Sequence, residues 1–312
     1  MHSIDNITAF VISGFVQGCI YALFALGYTL VYGVLRLINF AHSEVFMVGT
    51  FAAINVWGWI GYDTGSKIPA LGVALLILLV GLVAAIIVSG GTALIVELAA
   101  YRPLRRRNAP PLAFLITAIG ASLVISQTVG AFTQFQLRGA PTLFSSKPVF
   151  TIFGQGIHRL DILIVVIALV MMFLLDRFVN HSRLGKGIRA VAQNSDSAAL
   201  MGINKGRMIS LVFLLGGLMA GIASVFYVLR YNTRYDTGFE IGIQAFAAAV
   251  LGGIGNLRGA LLGGIILGIA ESIAADWFGS QWQYAVGAAV LIGILMFRPT
   301  GLLGESLGKA RA

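Results

Sequence analysis

Long apolar runs separated by short polar loops dominate this chain. A helix that crosses the hydrocarbon core of a membrane needs about 20 apolar residues, and nine runs approach or exceed that length. They cover residues 9–33, 44–60, 70–97, 112–135, 160–178, 209–229, 241–254, 258–276 and 284–297. The runs at 44–60 and 241–254 are short, and the sequence leaves open whether they cross fully or re-enter. The pattern predicts an all-α polytopic membrane protein with about 8–9 transmembrane helices.

The amino-acid composition agrees with a membrane protein and argues against a soluble domain. Hydrophobic residues make up 58% of the 312 residues, charged residues 11%, and the mean hydropathy is +0.91. The longest polar stretches are a loop at 138–159, predicted to be an ordered hairpin or loop, and a polar segment at 181–208. Neither is large enough to fold alone, so residues 1–312 are predicted to form a single transmembrane domain.

Positive charges divide unequally between the two alternating sets of loops. Lys and Arg accumulate on the cytoplasmic side of membrane proteins, and the poorer set holds only six of the 21: Lys67, Arg138, Lys147, Arg159, Arg230 and Arg234. This places the N-terminus outside and the C-terminus in the cytoplasm. All four tryptophans are then expected near the outer boundary, at Trp57, Trp59, Trp277 and Trp282. The net charge of +9 follows from this topology and does not indicate nucleic-acid binding.

The polar segment at 181–208 has the order of a capped helix. Ser195 or Asn194 is a candidate N-cap, Asp196 complements the positive helix end, and Gly202 is suited to end the helix in the left-handed conformation. The apolar residues at 198–201 would form a small surface for contact with another body. We therefore interpret the segment as a docking element.

Nucleotide-binding machinery is missing from the sequence. The phosphate-binding pattern G-x-x-x-x-G-K-[ST] comes nearest at residues 184–187, where Asn180 replaces the first glycine and Gly187 the hydroxyl residue. Active transport would then need either ATP hydrolysis by another chain or coupling to an ion gradient. The lone Cys19 can form neither a disulfide framework nor a cysteine metal site.

Polar residues within or beside the apolar runs are candidates for a translocation path. They are Asn39, His42, Glu44, Gln127, Gln244 and Glu271. Charged groups inside a membrane often mark substrate or ion pathways. The competing interpretation is structural: Asn39 or Ser43 caps a helix, and the others hydrogen-bond between helices. A catalytic role for His42 with Glu44 lacks any accompanying nucleophile motif.

Glycines recur at four-residue spacing in the second half of the chain, as at Gly217 and Gly221. Such stripes let helix backbones approach closely. Residues 249–259 are predicted to form two short helices that meet at a Gly-rich break, with gating or packing roles for Gly252, Gly253, Gly255, Gly259 and Gly263. Gly264 and Gly268 lie on a neighbouring stripe.

Four segments together resemble a known family. They are Ile38-Asn39-Phe40-Ala41-His42-Ser43-Glu44, SRLGKGIRAVAQNSDSAALMGI, AVLGGIGNLRGALLGG, and the Arg-Pro-Thr-Gly-Leu-Leu-Gly motif at 298–304. In this order they are similar to the H-type permease subunit of high-affinity branched-chain amino acid ABC importers, over nearly the whole chain. One departure is Ser43, where relatives commonly have glycine.

The resemblance implies a permease subunit with an ABC importer permease fold in the bacterial inner membrane, without enzymatic activity. ATP would be bound by two cytoplasmic ATPase subunits, and the other partners would be a second permease, either a paralog or another copy, and a periplasmic binding protein. This chain would carry no metal and no cofactor. A short cytoplasmic helix would couple the permease to the ATPases, and the residues carried over are Gly185, Arg189, Asp196, Ser197, Ala198, Ala199, Leu200, Met201 and Gly202.

Three alternatives stay open at this point. The same motifs would serve a urea or amide importer. A gradient-driven secondary transporter would use Glu271 as its coupling group. A membrane-embedded enzyme using His42 and Glu44 is disfavoured because no metal-ligand or nucleophile constellation accompanies them.

Overall fold

The computed structural model describes residues 4–152, 155–298 and 300–304, and its elements are almost entirely helical. The long helices are α1 (Ile4–Leu35), α2 (Ala41–Trp59), α3 (Leu71–Val96), α5 (Pro111–Thr133), α6 (Arg159–His181), α9 (Lys205–Arg230), α10 (Thr237–Gly252), α11 (Leu257–Phe278) and α12 (Gln283–Phe297). The shorter helices are α4 (Arg102–Arg106), α7 (Arg183–Gln193) and α8 (Ser195–Leu200). Pro299, Lys309 and Arg311 lie outside the described residues.

Each of the nine predicted apolar runs corresponds to one long helix. Within the described residues, seven helices are long and apolar enough to cross a membrane. They are α1, α3, α5, α6, α9, α11 and α12, the last counted with the helical turn Ser280–Trp282 before it, and α10 is a shorter apolar helix. The helix α2 has 19 residues, but it carries His42, Ser43 and Glu44, which are buried against the rest of the protein. Its polar groups are therefore sheltered from lipid by neighbouring helices.

The core is formed around α1 and α9. The helix α1 packs against α11, α9 and α10, and α9 also packs against α3 and α2. By contrast, few residues of α5, α6 and α12 are buried within this chain. These peripheral helices are available for contact with lipid or with other subunits.

Consecutive long helices run in opposite directions between two faces of the bundle. Contacts on the first face join Tyr101 to Asn39 and Arg258 to Asp176. Contacts on the second face join Trp57 to Ile77 and Arg230 to Asp161. Because the first face carries the Arg-rich loops, we call it the basic face and the second the opposite face.

One helix spans only part of the bundle. The Oγ1 atoms of Thr233 and Thr50 lie 2.9 Å apart, and Thr50 stands in the middle of α2. The segment after α9 therefore turns back into the helix layer before α10 begins. Near the start of α10, Gly238 lies against Ser43, close to the basic face. At 16 residues, or about 24 Å, α10 is shorter than the hydrocarbon core of about 30 Å that a crossing helix must span.

The loop at 138–159 contains the predicted hairpin. Strands β1 (Phe150–Ile152) and β2 (Gln155–Ile157) pair antiparallel, with Phe150 opposite Ile157. Three of the four tryptophans are exposed, as expected for residues at a membrane boundary. Trp57 differs from the other three: its side chain is fully buried, and its Nε1 donates to the Ile77 carbonyl at 2.8 Å.

Candidate functional site

The polar segment at 181–208 folds into two capped helices on the basic face. Ser182 Oγ accepts the Gly185 N–H at 2.8 Å and begins α7. Asn194 Oδ1 accepts the N–H groups of Asp196 and Ser197, each at 3.0 Å, so Asn194 is the cap of α8. Of the two predicted caps, Asn194 is confirmed and Ser195 is not. The side chain of Asn194, which directly precedes the helix, accepts two N–H groups of the first turn that have no partner within the helix.

The end of α8 also follows the predicted pattern. Gly202 has φ +82° and the Ile203 N–H bonds to the Ala198 carbonyl at 3.0 Å, which ends the helix in the left-handed conformation. Met201 stands at the last position before this turn. The helix is therefore capped at both ends and lies directly between α7 and α9 in the chain.

Only part of the predicted coupling set is accessible. Leu200 is 89% and Met201 82% exposed, and Ala199 is exposed beside them. Ala198 is 4% exposed and packs inside the chain, so it does not belong to the outward surface of α8. Two large apolar side chains are thereby left without cover at the end of a short helix.

The flanking positions have structural roles in this chain. Gly185 lies so close to the carbonyls of Phe178 and Val179 that no side chain fits there, which allows α7 to pack on the end of α6. The exposed Arg189 donates through Nη2 to the Asn180 carbonyl at 3.1 Å. Both residues hold α7 in place, and Gly185 cannot itself touch another subunit, since it is buried.

Three path candidates form a buried cluster near the basic face. Asn39 Oδ1 accepts the Ala41 N–H at 3.1 Å and the Tyr101 hydroxyl at 3.0 Å, which makes it a structural cap. His42 packs among aromatic rings, with its ring centroid 4.8 Å from that of Tyr28 and 5.4 Å from that of Phe24.

Glu44 lies in the same cluster and has a specific partner. Its Oε1 accepts the Ser122 hydroxyl at 3.1 Å, and its Oε2 faces Gly238 at the start of α10. Within the described residues Oε2 has no hydrogen-bond donor. His42 and Glu44 make no hydrogen bond to each other among the bonds found, and the geometry gives no catalytic pair.

The other path candidates lie elsewhere. Glu271 is completely buried, and its Oε2 accepts the Tyr21 hydroxyl of α1 at 2.7 Å. Gln244 Oε1 and Glu271 Oε1 both lie beside Gly287 of α12. Gln127 is exposed on α5 and shares no site with them.

Two glycine stripes on α11 face two different helices. Gly259 and Gly263 lie against the backbone of α10, at Gly252 and Ala248. Gly264 and Gly268 instead lie against Gly18 and Gly14 of α1, interleaving their backbones. Gly264 and Gly268 therefore pack α11 against the central helix α1, and Gly259 and Gly263 pack it against α10.

The predicted break between α10 and α11 is present and carries an additional contact. Gly253 and Gly255 have φ of +104° and +98°. The chain after α12 returns to this break: the Leu302 N–H bonds to the Leu251 carbonyl at 2.8 Å, and the Leu303 N–H to the Gly252 carbonyl at 3.0 Å. Sequence reasoning missed this contact, because a loop that follows the last helix carries no pattern that specifies its partner.

A cavity of ≈ 430 Å³ opens on the opposite face and was also not predicted. It lies between α1, α6 and α11, beside the ends of α9 and α12. Its polar lining consists of Ser13, Gln17, Gln155, His158, Asp161, Arg230, Tyr231, Ser272 and Gln283. Arg230 and Asp161 are far apart in sequence. Each lies at one end of an apolar run, a position where charged residues are common in membrane proteins. No sequence signal connects them.

No group of three His, Cys, Asp or Glu side chains among the described residues is arranged to hold a metal ion.

Comparison with known proteins places these features in a family. Residues 10–295 match the family described as the branched-chain amino acid transport system / permease component. The chain is 40% identical over 301 residues to the high-affinity branched-chain amino acid transport system permease protein BraD of Pseudomonas aeruginosa, covering 94% of each chain. It is 36% identical over 303 residues to the permease protein LivH of Escherichia coli K12, again covering 94% of each.

Solved structures give a more distant likeness. A metal-chelate type ABC transporter in an inward-facing conformation matches with a TM-score of 0.48 and 15% identity, over 93% of this chain and 85% of the other. PsaBC from Streptococcus pneumoniae, in complex with Fab, matches with a TM-score of 0.45 and 14% identity, over 94% and 90%. From the family match and its near-complete coverage, this chain belongs to the family of permease components of branched-chain amino acid transport systems.

Proposed function

We propose that this chain is the membrane permease subunit of an ATP-driven importer for leucine, isoleucine, valine or related small amino acids. The observation that carries the proposal is the capped helix α8, which exposes Leu200 and Met201 on the basic face of a chain in this family. Uncovered apolar side chains on a rigid element are suited to contact with another protein. The partner that fits is a cytoplasmic ATPase subunit, which supplies the nucleotide site that this sequence lacks.

Packing around α8 supports transmission of movement into the membrane domain. The helix α7 packs against α6, α1 and α9, and Asn204 Oδ1 accepts the Arg207 N–H at 3.0 Å at the start of α9. Closure of two ATPases on ATP would displace α8, and this displacement would tilt α9 and the helices packed against it. Two permeases, either paralogs or copies of this chain, would then alternate between inward-open and outward-open arrangements.

A charge substitution at α8 tests the coupling. We expect Leu200→Glu to lower ATPase co-purification and ATP-dependent leucine uptake at least tenfold, because burying an unpaired carboxylate in an apolar contact is unfavourable. The matched control is Leu184→Glu, which changes another exposed leucine of the same segment outside α8. Unchanged assembly and uptake in Leu200→Glu would contradict the proposal.

The orientation forms a second part of the proposal, with the N-terminus outside and the basic face in the cytoplasm of the bacterial inner membrane. The segregation of Lys and Arg supports it. Cys19 is the single cysteine and is buried, so labelling of an introduced cysteine can be measured without background from Cys19. In intact cells, a membrane-impermeant maleimide should label Ser146→Cys, on the loop of the opposite face, and should spare Ser195→Cys on α8. Labelling in the reverse order would show that the orientation is inverted.

Cargo would reach the permease from a periplasmic binding protein. The chemical class of the cargo is taken from the family and from the names of the relatives, which are transport proteins for branched-chain amino acids. Ligand binding by the cognate binding protein separates this proposal from a urea or amide importer. A binding protein that retains urea and ignores leucine would refute the amino-acid assignment.

A further inference from the structure

The cavity on the opposite face has two chemically different walls. Its apolar wall is the first part of α1 and consists of Ala9, Phe10, Ile12 and Val16. Its polar wall carries a cation, an anion and uncharged hydrogen-bonding groups from α1, α6, α9, α11 and α12. At ≈ 430 Å³ it has the size of a small-molecule site, for which about 300–1,000 Å³ is typical.

Arg230 and Asp161 form the charged part of the polar wall. Arg230 Nη1 lies 2.6 Å from Asp161 Oδ1, and Nη2 donates to Ser13 Oγ at 2.9 Å. The Nε of Arg230 donates to the Tyr231 hydroxyl at 3.3 Å. A guanidinium has five N–H donors, so one donor on each terminal nitrogen is left after these bonds. Two such donors are what a carboxylate accepts.

Gln17 marks the inner part of the same cavity. It is only 6% exposed, and its Oε1 has no hydrogen-bond partner among the described residues. A buried carbonyl oxygen without a donor costs free energy, on the order of 1–3 kcal/mol. A bound ammonium group would supply the missing donor.

We propose that this cavity binds an α-amino acid zwitterion with a branched apolar side chain. Arg230 binds the carboxylate, Gln17 Oε1 and Asp161 accept from the ammonium group, and the side chain lies against the apolar wall of α1. A zwitterion brings one charge of each sign to a pair that is already neutral, so the site gains no unpaired buried charge. The choice of an amino acid as ligand rests on the proposed function; the position and the three contacts rest on the cavity.

Cysteine protection in the complete transporter tests the site and detects weak binding. Ser272 lines the cavity, so Ser272→Cys should react with a small maleimide from the opposite face, and Cys19 adds no background because it is buried. We expect saturating leucine to slow this reaction at least tenfold. Neither 4-methylpentanoate, which lacks the ammonium group, nor 3-methylbutylamine, which lacks the carboxylate, should do so. The reaction of Ser146→Cys should be unaffected by leucine.

Two further variants keep the Arg230–Asp161 pair intact and are made in the Ser272→Cys background. Gln17→Leu removes the ammonium acceptor, and Ala275→Leu fills part of the cavity. Each should raise the leucine concentration needed for half-protection at least tenfold. The control Ala270→Leu makes the same change at another half-buried position of α11 that does not line the cavity. Basal ATPase activity of the purified complex shows that each variant is folded.

The outcomes separate this inference from the proposed function. Protection by leucine that is weakened by Gln17→Leu and Ala275→Leu supports the site. An unreactive Ser272→Cys, or protection that is absent or insensitive to both variants in a transporter that imports leucine, overturns the site and leaves the proposed function standing. A complex that hydrolyses ATP but neither imports nor binds any amino acid overturns both.

Discussion

A single methyl group at Gly268 should weaken the contact between α1 and α11. A Cβ added at this position would lie 2.5 Å from Gly18 Cα, while carbon atoms in favourable contact are about 3.5–4.0 Å apart. The neighbouring atoms belong to the backbone, so no side chain can rotate away. The two helices would have to separate by about 1 Å, a gap that removes about a quarter to a half of each affected contact energy.

The expected cost follows from two opposing effects. Overpacking typically costs about 1–3 kcal/mol, whereas alanine is favoured over glycine within a helix by up to about 1 kcal/mol. We therefore expect Gly268→Ala to lower the free energy of unfolding by about 1–2 kcal/mol. The midpoint of denaturant-induced unfolding of the purified protein in detergent measures this change.

Two control substitutions isolate the contact from helix propensity. An added Cβ meets no atom within 4 Å at Gly120 of α5 or at Gly293 of α12. Gly120→Ala and Gly293→Ala should be neutral or stabilising by up to about 1 kcal/mol. If Gly268→Ala proves as stable as these controls, the close packing of α1 on α11 is not what holds the central helix.

Three other substitutions test separate features. Asn194→Ala should lower the stability of α8 by about 0.5–2 kcal/mol, read as faster amide exchange at 196–200, whereas Ser195→Ala should not, since Ser195 is not the cap. Tyr21→Phe removes the donor to Glu271 and should cost about 1–3 kcal/mol of unfolding free energy; an equal loss in Tyr32→Phe would argue against a specific bond. Gly253→Ala, at φ +104°, should cost on the order of 1–3 kcal/mol and reduce uptake; the matched change Gly65→Ala, in open space, should do neither.

Hydropathy and local capping chemistry predict much of this architecture. The apolar runs give nine helices in the correct order, because the membrane requirement is a property of consecutive residues. The start and end of α8 follow from Asn194 and Gly202, because caps act over three or four residues. The two stripes of α11 are also visible in the sequence, although not the helices that each one meets.

The direction and depth of individual side chains are not encoded in the same local way. Gln127 and Gln244 both stand in apolar runs, yet the first is exposed on a peripheral helix and the second is buried beside Gly287. The bond from Tyr21 to Glu271 joins residues 250 apart. Such pairings depend on how the helices rotate against one another, which a single hydropathy profile does not record.

The bonds from Leu302 and Leu303 to the carbonyls of residues 251 and 252 tie the segment after α12 to the junction of α10 and α11. Asn256 adds a third tie through its Nδ2, which donates to the Leu303 carbonyl at 2.9 Å. The last three helices are therefore clamped together at the basic face. During a transport cycle we therefore expect this clamped junction to move as one piece.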